Sequence, residues 1–137
     1  MTATARPVGP PGYSETLPCT AASVARSRIL ARAALAAWGL PELVEPGALV
    51  ASELVSNAVR HVGRLHLRVT VSRPEVALVR IAVVDRSVRP PVLRLPDADD
   101  EGGRGLLLVD ATAARWGVDP LPWGKRVWAE LAATAPG

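Results

Sequence analysis

A chain of 137 residues with a net charge of +3 has the length of one domain and enough residues for a real core. It is 49% hydrophobic, with four Trp, one Tyr and no Phe, so that core has to be built from Leu, Val and Ala. The single Cys19 excludes an internal disulfide framework and fits a reducing cytosol, and no apolar run approaches the ~20 residues of a transmembrane helix.

Met1–Gly12 has one Arg, several Pro and Gly and no apolar segment, which reads as a flexible leader and not a signal peptide. Residues 13–133 are then a single domain and 134–137 a tail. Tyr13–Pro18 alternates weakly, as a short edge strand ending at a proline does. Thr20 or Ser23 is placed to cap a helix reaching about Trp38. Val24, Ala31, Leu35 and Trp38 form its apolar stripe, and Arg26, Arg28 and Arg32 cover the outside. Gly39 stands where a C-terminal cap belongs. Pro41–Pro46 reads as a connection, with Pro46 in the first turn of a second helix that runs to about Val62 and stops at Gly63.

Leu65, Leu67, Val69 and Val71 alternate with His66, Arg68, Thr70 and Ser72, the pattern of a strand with one buried face. Arg73-Pro74-Glu75 reads as a turn. Val76–Val84 is almost wholly apolar, as a central strand is. Asp85 ends it on the side of Val79, Ile81 and Val83, where a carboxylate needs a specific partner. Residues 86–103 break regular structure with prolines, a glycine pair and the acidic Asp97, Asp99, Asp100 and Glu101; a run of that length in a small domain is expected to be a functional lid or a disordered segment. Gly102-Gly103-Arg104-Gly105 opens a helix over Leu106–Ala114. Two strands follow, Arg115–Asp119 and Arg126–Ala132, with Val127, Ala129 and Leu131 inward. This order predicts an α/β (α+β) two-layer sandwich, a mixed, mostly antiparallel sheet with three helices on one face.

The second helix carries the chemistry. Glu53, Asn57 and His61 recur at i, i+4 and i+8 and share one face, while Leu49, Val50, Leu54, Val55, Ala58 and Val59 make the helix apolar. A carboxylate, an amide and an imidazole in line suit the wall of a pocket: the carboxylate takes a proton and the amide oxygen holds a hard cation such as Mg²⁺. They also suit the wet face of a half-exposed helix. Glycines before Leu106 let a backbone approach a ligand, and a helix start favours a phosphate, although neither a Walker A pattern nor a dinucleotide fingerprint is present. Asp85 has the chemistry to accept a hydrogen bond from a purine amine, or to be a solvated strand end. Arg makes up all but one of the sixteen basic residues, with one Asn, no Gln and two Ile. That is the mark of a GC-rich codon background, so a pI near 10.0 says little about nucleic acid. The lone Asn57 and lone Lys125 hint at constrained positions.

In order and spacing these stretches resemble the ATP-binding (Bergerat-type) fold of the GHKL superfamily, and within it the RsbW-type anti-sigma-factor serine/threonine kinases, notably the short regulators of actinobacteria. Glu53-Leu-Val-Ser-Asn57-Ala-Val-Arg-His61 resembles the N box. Val83-Val-Asp85-Arg-Ser87 resembles the first glycine box, and Gly103-Arg-Gly105-Leu-Leu-Leu-Val109 the second. Arg115-Trp-Gly117 and Gly124-Lys-Arg-Val-Trp-Ala-Glu-Leu131 resemble the closing strands. The resemblance implies ATP and Mg²⁺ as cofactors, Glu53 as general base, and Asn57 on the metal. It implies His61 beside the same pocket and Asp85 with Ser87 at the adenine. Gly103, Arg104, Gly105 and Leu106 would be at the phosphates, and residues 86–103 would be the ATP lid. It further implies a cytoplasmic protein whose partners are a sigma factor or an anti-sigma antagonist, with no nucleic acid and no membrane, and with a homodimer open to it. Two positions depart from the pattern: Ser87 stands where Gly is common, and Arg126 stands where the last strand usually has a Thr associated with the adenine end. They motivate an alternative, a non-catalytic module that sequesters a protein with weak or no ATP turnover. A nucleic-acid binder, motivated by pI alone, is the third reading.

Overall fold

The computed structural model describes residues 6–7, 12–62, 66–86 and 105–133. The elements in chain order are β1 (Arg6–Pro7), β2 (Gly12–Pro18), α1 (Ala21–Ala37), α2 (Pro41–Val62), β3 (His66–Glu75), β4 (Leu78–Asp85), α3 (Gly105–Thr112), β5 (Arg115–Leu121) and β6 (Gly124–Ala132). The strands form one six-stranded sheet in the order β1-β2-β3-β4-β6-β5. Every pairing among the described residues is antiparallel, so the parallel component allowed by the word "mixed" does not occur among them. Inside the stretch read as a leader, Arg6 and Pro7 pair with Ser14 and Tyr13. That leaves β2 between β1 and β3 rather than at the edge of the sheet.

Period-2 alternation sorts the sheet into two faces. Leu67, Val69 and Val71 of β3, Val79, Ile81 and Val83 of β4, and Val127, Ala129 and Leu131 of β6 are all buried. They share one core with Leu30, Ala31, Ala34 and Leu35 of α1, with Val50, Leu54 and Val55 of α2, and with Leu106 and Val109 of α3. The helices therefore lie against one face, with α2 between α1 and α3 and packed on β4 and β6.

Local chemistry sets the joints. Gly39 takes a φ of +70°, the left-handed turn that ends α1 at little cost only for glycine. At the other end Thr20 has N-cap geometry without a side-chain cap bond, and the Ser23 hydroxyl instead donates to the Pro18 carbonyl at 2.5 Å. The second helix begins at Pro41, not Pro46. Pro41 occupies the first turn, where its missing N–H is no loss, and Pro46 lies inside the helix, where its missing N–H forgoes one i→i−4 bond of the ladder. The hairpin between β3 and β4 turns at Val76–Ala77, three residues beyond the predicted start, because Arg73–Glu75 stay in the strand. Arg26, assigned from its spacing to the outside of α1, reaches Glu15 with two hydrogen bonds of 2.8 and 2.9 Å and shields that buried carboxylate.

The helix-free face has its own layer. Glu130 is 1% exposed there because Arg80 and Arg115 both donate to it, and both guanidiniums lie over the Trp128 ring. The hydrogen bonds, first from Arg115 and then from Arg80, hold the Glu130 carboxyl below its ordinary range against the opposing effect of burial.

Candidate nucleotide site

Helix α2 holds the predicted stripe in place by burying its other faces. Val50, Ala51, Leu54, Val55 and Ala58 are at most 3% exposed, and a helix so anchored cannot rotate its polar line elsewhere. Glu53 is half-buried. Asn57 is 6% exposed, and no hydrogen bond ties its amide to another of the described residues. A largely buried residue whose amide is left to solvent and bonds to no described residue is what a ligand-facing position looks like. His61 is in the helix, one residue before its end; its side chain lies outside the described residues.

The second constellation is split by the same limit. Ser87, Gly103 and Arg104 lie outside the described residues, as does the predicted lid apart from Arg86 and its expected acidic patch entirely. Gly105 is the first residue of α3, and Leu106 is 2% exposed. Helix α3 packs against α2, and Trp116 Nε1 donates to Asp110 at 2.9 Å, fixing α3 to β5. The stripe helix and the glycine-opened helix are therefore neighbours, as a pocket between them requires.

Asp85 closes β4 on the helix-facing side and is 1% exposed. The partner such a carboxylate needs is Lys125: the two residues are paired across the β4–β6 ladder, and Lys125 Nζ donates to Asp85 Oδ1 at 3.1 Å. The lone lysine is the available signal, but a strand read as starting at Arg126 leaves Lys125 just outside it and so not opposite Asp85. Gly124 makes the approach workable. A Cβ there would sit 2.0 Å from the Asp85 carbonyl oxygen, so only glycine lets the start of β6 lie this close to the end of β4. Burial, and after it the Asp85 charge, push the Cys19 thiol up; Cys19 is therefore a packed thiol and not a nucleophile.

The Arg126 side chain is turned to the face opposite that of Asp85. Its neighbours Lys125 and Val127 are buried at 4% and 3%, so alternation turns Arg126 to the helix-free face, where its Nη2 donates to Asp119 at 2.7 Å. The departure from the expected Thr therefore leaves the Asp85 side of the sheet unblocked. Among the described residues no group of three or more His, Cys, Asp or Glu is arranged to hold a metal ion. An amide such as Asn57 would hold Mg²⁺ together with the oxygens of a bound phosphate, the usual way this ion is held.

A histidine kinase-like ATPase domain model matches residues 17–129, a span that includes α1, α2, both glycine-box regions and most of β6. The chain belongs to the histidine kinase-like ATPase domain family. No curated protein matches it. Among solved structures it is similar to the RsbU and RsbW domains of Rv1364c from Mycobacterium tuberculosis, at a TM-score of 0.70 and 20% identity over 93% of this chain. The chain spans 34% of that structure's chain. At that identity the likeness is one of fold. With the family established, ATP is the ligand its domain implies, and no helix among the described residues is long and apolar enough to cross a membrane.

Proposed function

We propose that this chain binds ATP with Mg²⁺ and transfers the γ-phosphate to a Ser or Thr hydroxyl of a partner protein in a sigma-factor switch. The observation that carries the reading is Asn57, a largely buried residue whose amide makes no hydrogen bond among the described residues, one turn along from Glu53 on a helix of the matched domain. The similar fold of a structure containing an RsbW domain supports the choice of partner class.

Each residue has a role its chemistry allows. Asp85 would accept from the adenine amine; Lys125 occupies one of its oxygens, and a carboxylate offers about four acceptor sites. Asn57 would hold Mg²⁺, which would supply positive charge to offset that of the phosphates. Glu53 would take the hydroxyl proton as the substrate oxygen bonds to the γ-phosphorus and the bond to the β–γ bridging oxygen breaks, releasing ADP. Phosphoryl transfer asks the protein mainly for placement and electrostatics, so a correctly held base and metal suffice. His61, Ser87 and Gly103–Leu106 would, as the resemblance implies, border the phosphates and the base.

The ion pair on Asp85 favours a second reading, a module that captures a protein without turning over ATP, because a carboxylate already paired is a weaker base-reader. Incubation with radiolabelled ATP, Mg²⁺ and an anti-sigma antagonist separates the two. The kinase reading predicts label on the antagonist that vanishes in Glu53→Ala while ATP binding persists. Binding without transfer, in the wild type, assigns the module.

A further inference from the structure

We propose that the helix-free face of the sheet carries a second binding surface, a basic groove that takes an acidic segment of a partner protein. Thr16, Arg68, Val84 and Arg126 form one rung across β2, β3, β4 and β6, on the face opposite Leu67 and Lys125. A solvent-open groove of about 590 Å³ lies along this rung and is bordered by His66, Arg86 and Trp123.

Its charge is largely unspent. Asp119 meets Arg126, but His66, Arg68 and Arg86 are exposed and make no ion pair among the described residues. Guanidiniums present a planar fork that matches carboxylates. Trp123, in the β5–β6 turn, is 54% exposed, an uncommon cost for a soluble surface and a common one for an interface anchor. Val84 and Leu121 give the groove an apolar floor. The occupant this chemistry fits is an extended acidic segment with an apolar residue among its carboxylates. A nucleic acid needs a longer track of cations interleaved with aromatics, and this rung spans only four strands with a single exposed ring. Asp85 also lines the groove, so groove and nucleotide reading meet at that residue, although alternation turns the Asp85 and Lys125 side chains to the other face.

The test is fluorescence anisotropy with a short fluorescein-labelled peptide rich in Glu and Leu. The wild-type chain should bind it, more weakly as salt rises. Charge reversal in Arg68→Glu with Arg86→Glu should weaken binding at least about tenfold. Trp123→Ala should weaken it several-fold. Arg68→Gln with Arg86→Gln, a milder pair at exposed positions, should fold as the wild type does and give a smaller loss; it carries the test if the reversed pair misfolds. Failure of the wild type to bind the peptide, or equal binding by wild type and both variant pairs, overturns the proposal. Tighter binding of an oligothymidylate than of the peptide, lost in the same variants, overturns it in favour of a nucleic-acid groove.

Discussion

Lys125 lies directly across the β4–β6 ladder from Asp85, and its ammonium donates to the carboxylate at 3.1 Å with the two side chains 5% and 1% exposed. A pair this deep is held by mutual need. Removing one member strands the other charge in a low-dielectric site, a loss larger than the pair's own net contribution. Lys125→Met should therefore lower unfolding free energy by about 3–5 kcal/mol, read from urea melts. The double change Asp85→Leu with Lys125→Met should recover most of that stability and none of the ATP binding. A double variant no more stable than the single one would mean the pair does not act as a unit.

Asn57→Ala should behave in the opposite way. Its amide bonds to none of the described residues, so its removal should leave the melting temperature unchanged or raised, while Mg²⁺-dependent ATP affinity falls at least about tenfold. A drop in stability as large as the drop in affinity would make Asn57 a structural residue.

Gly124→Ala tests the close approach of β6 to Asp85. The added methyl meets a backbone carbonyl 2.0 Å away, which cannot swing aside as a side-chain tip can. The strand ends must separate, at a cost of about 1–3 kcal/mol for an overpacked site, and ATP binding should fall with them. Retention of both would mean the ladder frays there at no cost.

Arg126→Thr, which restores the residue common in similar regulators, should leave ATP affinity within about twofold. Arg126 and Asp119 are a half-exposed pair of the kind that contributes about 0.2–1 kcal/mol, and they lie on the far face. A large gain in affinity would place Arg126 at the nucleotide after all.

The helix pattern and the strand alternation were legible because both are carried by buried Leu and Val at fixed periods: Leu67, Val69, Val71 and Leu54, Val55, Ala58 sit where those periods put them. The stripe of Glu53 and Asn57 was legible for the same reason. Less was readable at the ends of elements. Pro46 was taken for a helix start because a proline that forfeits one bond of the ladder looks the same in sequence as one that forfeits none. The Asp85–Lys125 pair depends on β6 beginning at Gly124, and a strand boundary is a matter of which backbone pairs first, which periodicity does not encode.

Acid should expose the Glu130 cluster. The hydrogen bonds from Arg115 and Arg80 depress the folded-state carboxyl, so its stabilisation is complete above the unfolded value of about 4.3 and is lost as pH falls through the lower folded value. Chemical denaturation from neutral pH down to about 2 should show stability falling below that point. Glu130→Gln should be less stable near neutrality, should lose less on acidification, and should converge with the wild type at the acid end. Parallel curves at all pH values would contradict the linkage.

The most direct measurement is calorimetric titration of the chain with ATP, with and without Mg²⁺, in the wild type and in Asn57→Ala. Nucleotide binding at this site predicts micromolar affinity in the wild type that needs Mg²⁺, and an affinity in the variant that no longer responds to it. No heat of binding, or an affinity equal with and without Mg²⁺ in both proteins, would contradict it.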